Sequence, residues 1–204
     1  MGAAYTPRVP ESPRRAAPRL RLCAALAAVL TSALLLASCS HDEPAGEPNG
    51  SESSSAAGDA AATLIQTGLA QLSAGQDKSA RLTFENALAV DPENLYALYN
   101  LGVIAQNAGR DDPALEFYDR ALVSKADYAP ALYNKAIIVE ATDLEESVQL
   151  YRQVIGIDDQ LAAAHMRLGF ALVHLGQTDE GEGFLEQGIA LDPAMADIEA
   201  PSYG

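Results

Sequence analysis

The sequence predicts an all-α solenoid built from four helix-turn-helix repeats, and three observations predict it. The letters ALYN occur twice, at residues 97–100 and 131–134, 34 residues apart. The same period aligns four columns of packing residues: Gly68, Gly102, Ala136 and Gly169; Ala80, Ala114, Ser147 and Gly181; Phe84, Tyr118, Tyr151 and Leu185; Ala87, Ala121, Val154 and Gly188. Within a unit the apolar spacing is helical twice over. Leu98, Leu101, Gly102 and Ala105 lie at i, i+3, i+4 and i+7, and Ala114, Tyr118, Ala121 and Leu122 at i, i+4, i+7 and i+8. The units are 61–94, 95–128, 129–161 and 162–195, the third one residue short near Ala141 and Thr142.

Before the repeats, residues 1–38 read as a cleavable export signal. Arg14, Arg15, Arg19 and Arg21 precede an uncharged apolar run, residues 22–37, and Ser38 and Cys39 end it. Leu36, Ala37, Ser38 and Cys39 together resemble the lipobox of bacterial lipoproteins, in which the cysteine is acylated and the chain is cut before it. The alternative is an uncleaved membrane anchor, for which the run falls short of the ~20 residues needed to span a bilayer. Acylation of Cys39 by two or three chains would hold the protein durably at a membrane, because each buried methylene adds about 0.8 kcal/mol. The second cysteine, Cys23, lies inside the signal, so the processed chain has no disulfide.

Processing also changes the charge. The full chain carries a formal charge of −15. Removing residues 1–38 takes five of its 13 basic and one of its 28 acidic side chains, leaving about −19. Such a surface disfavours nucleic acid, whose binding rests on neutralising phosphates, and suits a basic protein partner. Residues 39–60 are expected to form the lipidated cysteine and a disordered tether. Their Ser, Gly, Pro and acidic residues offer little to bury, and as a coil they would reach roughly 25 Å.

Turn signals separate the two helices of each repeat. Gly75, Gly109 and Gly176 follow helix ends, and Asp77, Asp111 and Thr178 are the expected caps of the next helices. Asp112 before Pro113 gives another expected cap, and Asp143 with Glu146 a capping box. In the first repeat Thr67 and Gln71 replace Leu101 and Ala105, a polar outer face for a terminal unit. At the other end, residues 196–204 form a short tail in which Pro201 limits helix to about one turn. Met195 and Ile198 are expected to cover little of the last helix, leaving Phe184, Leu185 and Ile189 partly bare.

These columns resemble the tetratricopeptide repeat family over about 135 residues: a large residue, Leu-Gly, then Ala, an aromatic, Ala and Pro at fixed offsets. Lys135 and Asp159 depart from the pattern in the third unit, where Leu and Pro are usual. The resemblance implies a right-handed solenoid whose first helices line a concave groove. It places in that groove the column Gln66, Asn100, Asn134 and Arg167, the column Ile65, Tyr99, Tyr133 and Met166, and the column Leu69, Val103, Ile137 and Phe170. Family members that bind extended peptides use Asn at the place of Asn100 and Asn134, since an amide can both donate to and accept from a peptide unit. Arg167 would receive a carboxylate. Tyr99, Val103 and Ala163 are not lysine, so a full carboxylate clamp is not expected. Solvated groove amides predict that replacing Asn100 and Asn134 weakens binding and leaves folding almost unchanged. Packing or helix bracing is the competing reading of both residues.

No enzyme is indicated. His41 lies in the tether, while His165 and His174 have no matched partners at metal-ligand spacing. No glycine-rich loop follows a strand, and no catalytic, metal or cofactor site is expected. Glu140 is the one acidic residue expected in or beside the groove. The sequence thus predicts an exported, lipid-anchored scaffold that binds a protein or extended peptide at the cell envelope. Its place would be the outer face of the cytoplasmic membrane, or an outer membrane facing the periplasm. The alternative is a structural protein that self-associates weakly through its under-capped last repeat.

Overall fold

The structure is a computed structural model that describes residues 50–203. The expected signal, Cys39, His41 and the start of the tether lie outside the described residues. Eight α-helices follow one another: α1 (Gly50–Ser73), α2 (Asp77–Val90), α3 (Leu95–Asn107), α4 (Asp111–Ser124), α5 (Ala129–Val139), α6 (Leu144–Ile157), α7 (Ala162–His174) and α8 (Thr178–Leu191). A 3-10 turn (Pro193–Asp197) closes the series. Each helix packs on the next in the chain, the arrangement of a solenoid. Among the described residues no helix is long and apolar enough to cross a membrane.

The packing columns fall where the period puts them. Phe84, Tyr118 and Tyr151 are fully buried, each under a small residue of the partner helix. A Cβ on Gly68 would come within 2.5 Å of the Phe84 ring, and one on Gly102 would collide with the Tyr118 ring. In the last pair two glycines meet: a Cβ on Gly169 would lie 2.8 Å from the Gly181 carbonyl oxygen. Ala80, Ala87, Ala114 and Ala121 are wholly buried, so the helix backbones approach closely. Three apolar clusters follow along the stack. One joins Ile65, Phe84 and Leu101, the next Leu98, Tyr118 and Ala131, the third Leu132, Tyr151 and Leu168.

The turn glycines take the left-handed conformation expected of them, with φ of 69° at Gly75, 66° at Gly109 and 79° at Gly176. The third repeat has no such glycine, and its turn runs through Ala141 and Thr142, where the residue is missing. Asp143 caps α6 there, its Oδ1 accepting from the Glu146 backbone N–H at 2.8 Å. The other expected caps are displaced, Asp77, Asp111 and Thr178 by one residue and Asp112 by two. Gln76, Arg110 and Gln177 hold the cap positions without a side-chain bond, and Asp77, Asp111 and Thr178 are the first helical residues. The tight glycine turn already brings the Gln76 carbonyl to the Ala80 N–H, so the helix begins before the acid. In the first turn Asp77, Asp111 and Asp112 still complement the helix dipole.

Two further differences concern the ends and the weak repeat. Helix α1 starts at Gly50, well inside the segment expected to remain an unfolded tether. Its packed part provides the nucleus, and extending a formed helix through Ala56, Ala57 and Ala60 is far cheaper than starting one. Lys135, in the column of Leu101 and Leu168, is accommodated by charge. Its Nζ lies 2.7 Å from Asp119 of α4 and 4.0 Å from Glu146 of α6, tying the third repeat to the second.

Candidate functional site

The first helices α3, α5 and α7 present the columns expected to form the groove. Tyr99, Val103, Tyr133, Asn134, Ile137, Arg167 and Phe170 are all half-buried, whereas Gln66 of α1 is exposed. The structure brings Tyr133, Met166, Arg167 and Phe170 together around one cavity of about 200 Å³, with Ala163 beside them. Helical spacing explains this: positions 163, 166, 167 and 170 form one stripe of α7, facing Tyr133 of the preceding repeat.

Asn100 is not the solvated amide the sequence suggested. It is 9% exposed, and its Nδ2 donates to the Tyr96 carbonyl one turn back at 2.7 Å. Asn134 instead reaches between repeats, its Nδ2 donating to the Tyr99 hydroxyl at 3.3 Å. Tyr99 lies among aromatic rings, 5.4 Å from Tyr128 and 6.1 Å from Tyr118 between centroids. Burial raises the Tyr99 pKa above the ordinary tyrosine value, against the opposing pull of the Asn134 hydrogen bond.

Arg167 already holds a carboxylate, that of its own chain. Its guanidinium donates to Glu140 Oε2 at 2.6 Å. Glu140 ends α5, is 8% exposed, and lies on the groove as expected. Burial works against the Arg167 charge, but Glu140, with Tyr151 and Tyr133, more than offsets it and raises the Arg167 pKa. Beneath the pair the Tyr151 hydroxyl is buried with no hydrogen-bond partner. Burial foremost, and then the Glu140 charge, drives the Tyr151 pKa far upward.

The sequence did not reveal what covers this cluster. The segment after α8 turns back over α7. Met195, Ile198, Glu199 and Pro201 line the cavity opposite Tyr133, Arg167 and Phe170. Tyr203 reaches furthest: its hydroxyl donates to Glu140 Oε1 at 3.3 Å, and its ring lies 4.7 Å from that of His174. Met195 and Ile198 thus face the groove side of α7 as well as the last helix. Phe184, Leu185 and Ile189 of α8 remain half-buried. His165 is a packing residue, 4% exposed, with Nε2 3.0 Å from the Asp159 carbonyl oxygen and its ring against Phe184. Among the described residues no group of three or more His, Cys, Asp and Glu side chains is gathered to hold a metal.

No curated protein matches the chain in sequence. Residues 65–130 match the model of the tetratricopeptide repeat family. Among solved structures, MamA is 19% identical with a TM-score of 0.59, covering 68% of this chain and 81% of its own. The pilF protein of Pseudomonas aeruginosa is 24% identical with a TM-score of 0.61, over 69% and 66% of the two chains. YrrB, described as a TPR protein with an unusual peptide-binding site, is 21% identical with a TM-score of 0.57, over 67% and 72%. Among the described residues eight helices pair on the 34-residue period into an all-α solenoid with the fold of these solved structures, and the tetratricopeptide repeat model is matched from residue 65 to residue 130.

Proposed function

We infer that this protein is a membrane-tethered scaffold that binds an extended peptide or a partner protein along the groove side of α3, α5 and α7. One observation carries the reading: the cavity of Tyr133, Met166, Arg167 and Phe170, with Arg167 fixed by Glu140, has Met195, Ile198, Glu199 and Pro201 of the segment after α8 lying along it. Stacked helical repeats offer elongated surfaces of this kind to other proteins, and YrrB, of the same fold, is described as having a peptide-binding site. The formal charge of about −19 left after cleavage before Cys39 favours a basic partner. The lipobox-like residues 36–39 support a tether to a membrane of the cell envelope through Cys39 after export.

Affinity capture with the full chain from detergent-solubilised membranes tests this. A partner retained by the wild type should be lost with Phe170→Ser and kept with Cys39→Ala, while Cys39→Ala should abolish lipid labelling. Capture indifferent to Phe170 removes the groove reading. A second copy of the chain as the captured species, lost with Leu191→Lys, would favour the alternative of self-association through α8, where Leu191 is 37% exposed.

A further inference from the structure

The geometry points to residues 198–203 as an internal occupant of the binding groove, holding the place of a partner segment of the same chemistry: extended, apolar, and carrying a tyrosine whose hydroxyl Glu140 receives. The inference rests on the groove reading above and names both what the groove accepts and what must leave for it to do so.

Four features of the segment support it. Its backbone is extended at Ile198, with φ −77° and ψ 123°, and no regular secondary structure follows to Tyr203. Among the described residues the last backbone hydrogen bond joins the Ile198 N–H to the Met195 carbonyl, and beyond it Tyr203 is held by its side chain. Those side chains occupy distinct places. Ile198 and Pro201 lie along the apolar wall of Phe170 and Met166, and Tyr203 enters between His174 and Glu140. The fit is incomplete as well: Ile198 stays 51% exposed, and the cavity of about 200 Å³ remains between segment and floor.

The receiving side is built and fixed. Glu140 is held by Arg167 at 2.6 Å and presents its other oxygen to Tyr203. A carboxylate with one oxygen committed to a guanidinium is an acceptor with a set direction, suited to a hydroxyl or another N–H or O–H donor. The 3.3 Å bond to Tyr203 is long for an O–H···O contact, which commonly lies between 2.5 and 3.0 Å. A better-placed donor gains there. Below it, the Tyr151 hydroxyl is buried without a hydrogen-bond partner.

Because the segment is tethered close behind α8, its weak contacts act at an effective concentration on the order of millimolar. A free peptide must compete with that. The test uses the detergent-solubilised full chain and a synthetic peptide of residues 193–204, PAMADIEAPSYG, labelled for fluorescence anisotropy. The double variant Ile198→Ser with Tyr203→Ala should bind the peptide at least tenfold more tightly than the wild type does. Tyr203→Phe alone, which removes only the hydroxyl, should raise affinity about threefold. The peptide with phenylalanine in place of its tyrosine should bind the double variant several-fold more weakly. Equal affinity of wild type and variants means that the segment does not hold the groove, and no binding to any of them means that the groove does not take this chemistry; either overturns the inference. The two readings fail separately. Loss of captured partner with Phe170→Ser alongside indifferent tail variants sinks only the occupant. Competition by the tail alongside capture that ignores Phe170 sinks only the scaffold reading.

Discussion

Asn100 and Asn134 stand at the same place in consecutive repeats, yet their amides make different bonds. That of Asn100 is spent inside its own helix on the Tyr96 carbonyl. That of Asn134 joins α5 to the hydroxyl of Tyr99 on α3, so it is a brace between repeats. The brace has a measurable signature. Tyr99→Phe and Asn134→Ala should each destabilise the fold by about 0.5–1 kcal/mol, and the double variant by little more than either, because both remove the same net hydrogen bond. Urea unfolding of the four proteins reads the coupling; strictly additive losses would show that the bond contributes nothing. Asn100→Ala is expected to cost less, since alanine's helix propensity offsets part of the lost local bond. At this scale the sequence was a partial guide. Columns identified Tyr133, Arg167 and Phe170 as neighbours because Arg167 and Phe170, three residues apart, share a face of α7 and the period sets Tyr133 of α5 beside them. They were silent on Arg167 reaching Glu140, 27 positions earlier in the chain. A column also records no rotamer, and rotamers decide whether an amide faces a ligand or its own backbone.

Helix pairs owe their closeness to the small residue under each large ring. In the second pair Gly102 lies beneath Tyr118, whose hydroxyl donates to Gln106 on the same helix as Gly102 at 2.7 Å. An added methyl meets the ring, and the hydrogen bond resists the ring's retreat. Gly102→Ala should therefore cost about 1–3 kcal/mol, the range for overpacked cores, despite alanine's better helix propensity. The third pair shows the other solution: Ala136 occupies that place above Tyr151, in a pair whose turn is built without glycine. Thermal unfolding of Gly102→Ala beside Gly183→Ala checks this, since no atom lies within 4 Å of a Cβ at Gly183. If both substitutions stabilise equally, close packing at Gly102 is not limiting. Elements were the most legible level of this fold. Glycine turns, ring columns and the short third unit all rest on local stereochemistry or strict periodicity, which the sequence displays directly. The helical start of α1 and the course of residues 198–203 were hidden. Each depends on a neighbour already being folded: a nucleus for the helix to extend from, a groove for the segment to lie in.

Across the whole molecule, the inner surface of the stack is unusually rich in phenols. Tyr99 and Tyr118 pack together in the second repeat, where Tyr99 also receives Asn134 of the third, and Tyr133, Tyr151 and Tyr203 surround the Glu140–Arg167 pair. Burial is the main cause in every case, and it raises the pKa of Tyr99, Tyr118, Tyr128, Tyr133, Tyr151 and Tyr203 above the ordinary value of 10.0. Glu140 adds to the rise at Tyr133, Tyr151 and Tyr203, because a second negative charge beside it is unfavourable. The sign of the linkage follows. The folded chain holds these protons more tightly than the unfolded chain does, so above pH about 10 unfolding releases protons and is favoured. This contribution to stability is fully present below pH 10 and is lost as the pH rises through the higher folded-state values. The phenols should consequently ionise together with unfolding rather than one at a time. Tyrosinate absorbance and far-ultraviolet circular dichroism, followed in one alkaline titration, should show a shared cooperative step for most of the seven tyrosines from Tyr96 to Tyr203. Tyr203 is the informative exception, because it sits on the displaceable segment. With Ile198→Ser loosening that segment, one phenol should titrate nearer the ordinary value while the helical signal is still intact. A smooth rise of tyrosinate across all positions, with helicity retained, would mean that these rings are open to water and that the stack is looser than its columns imply.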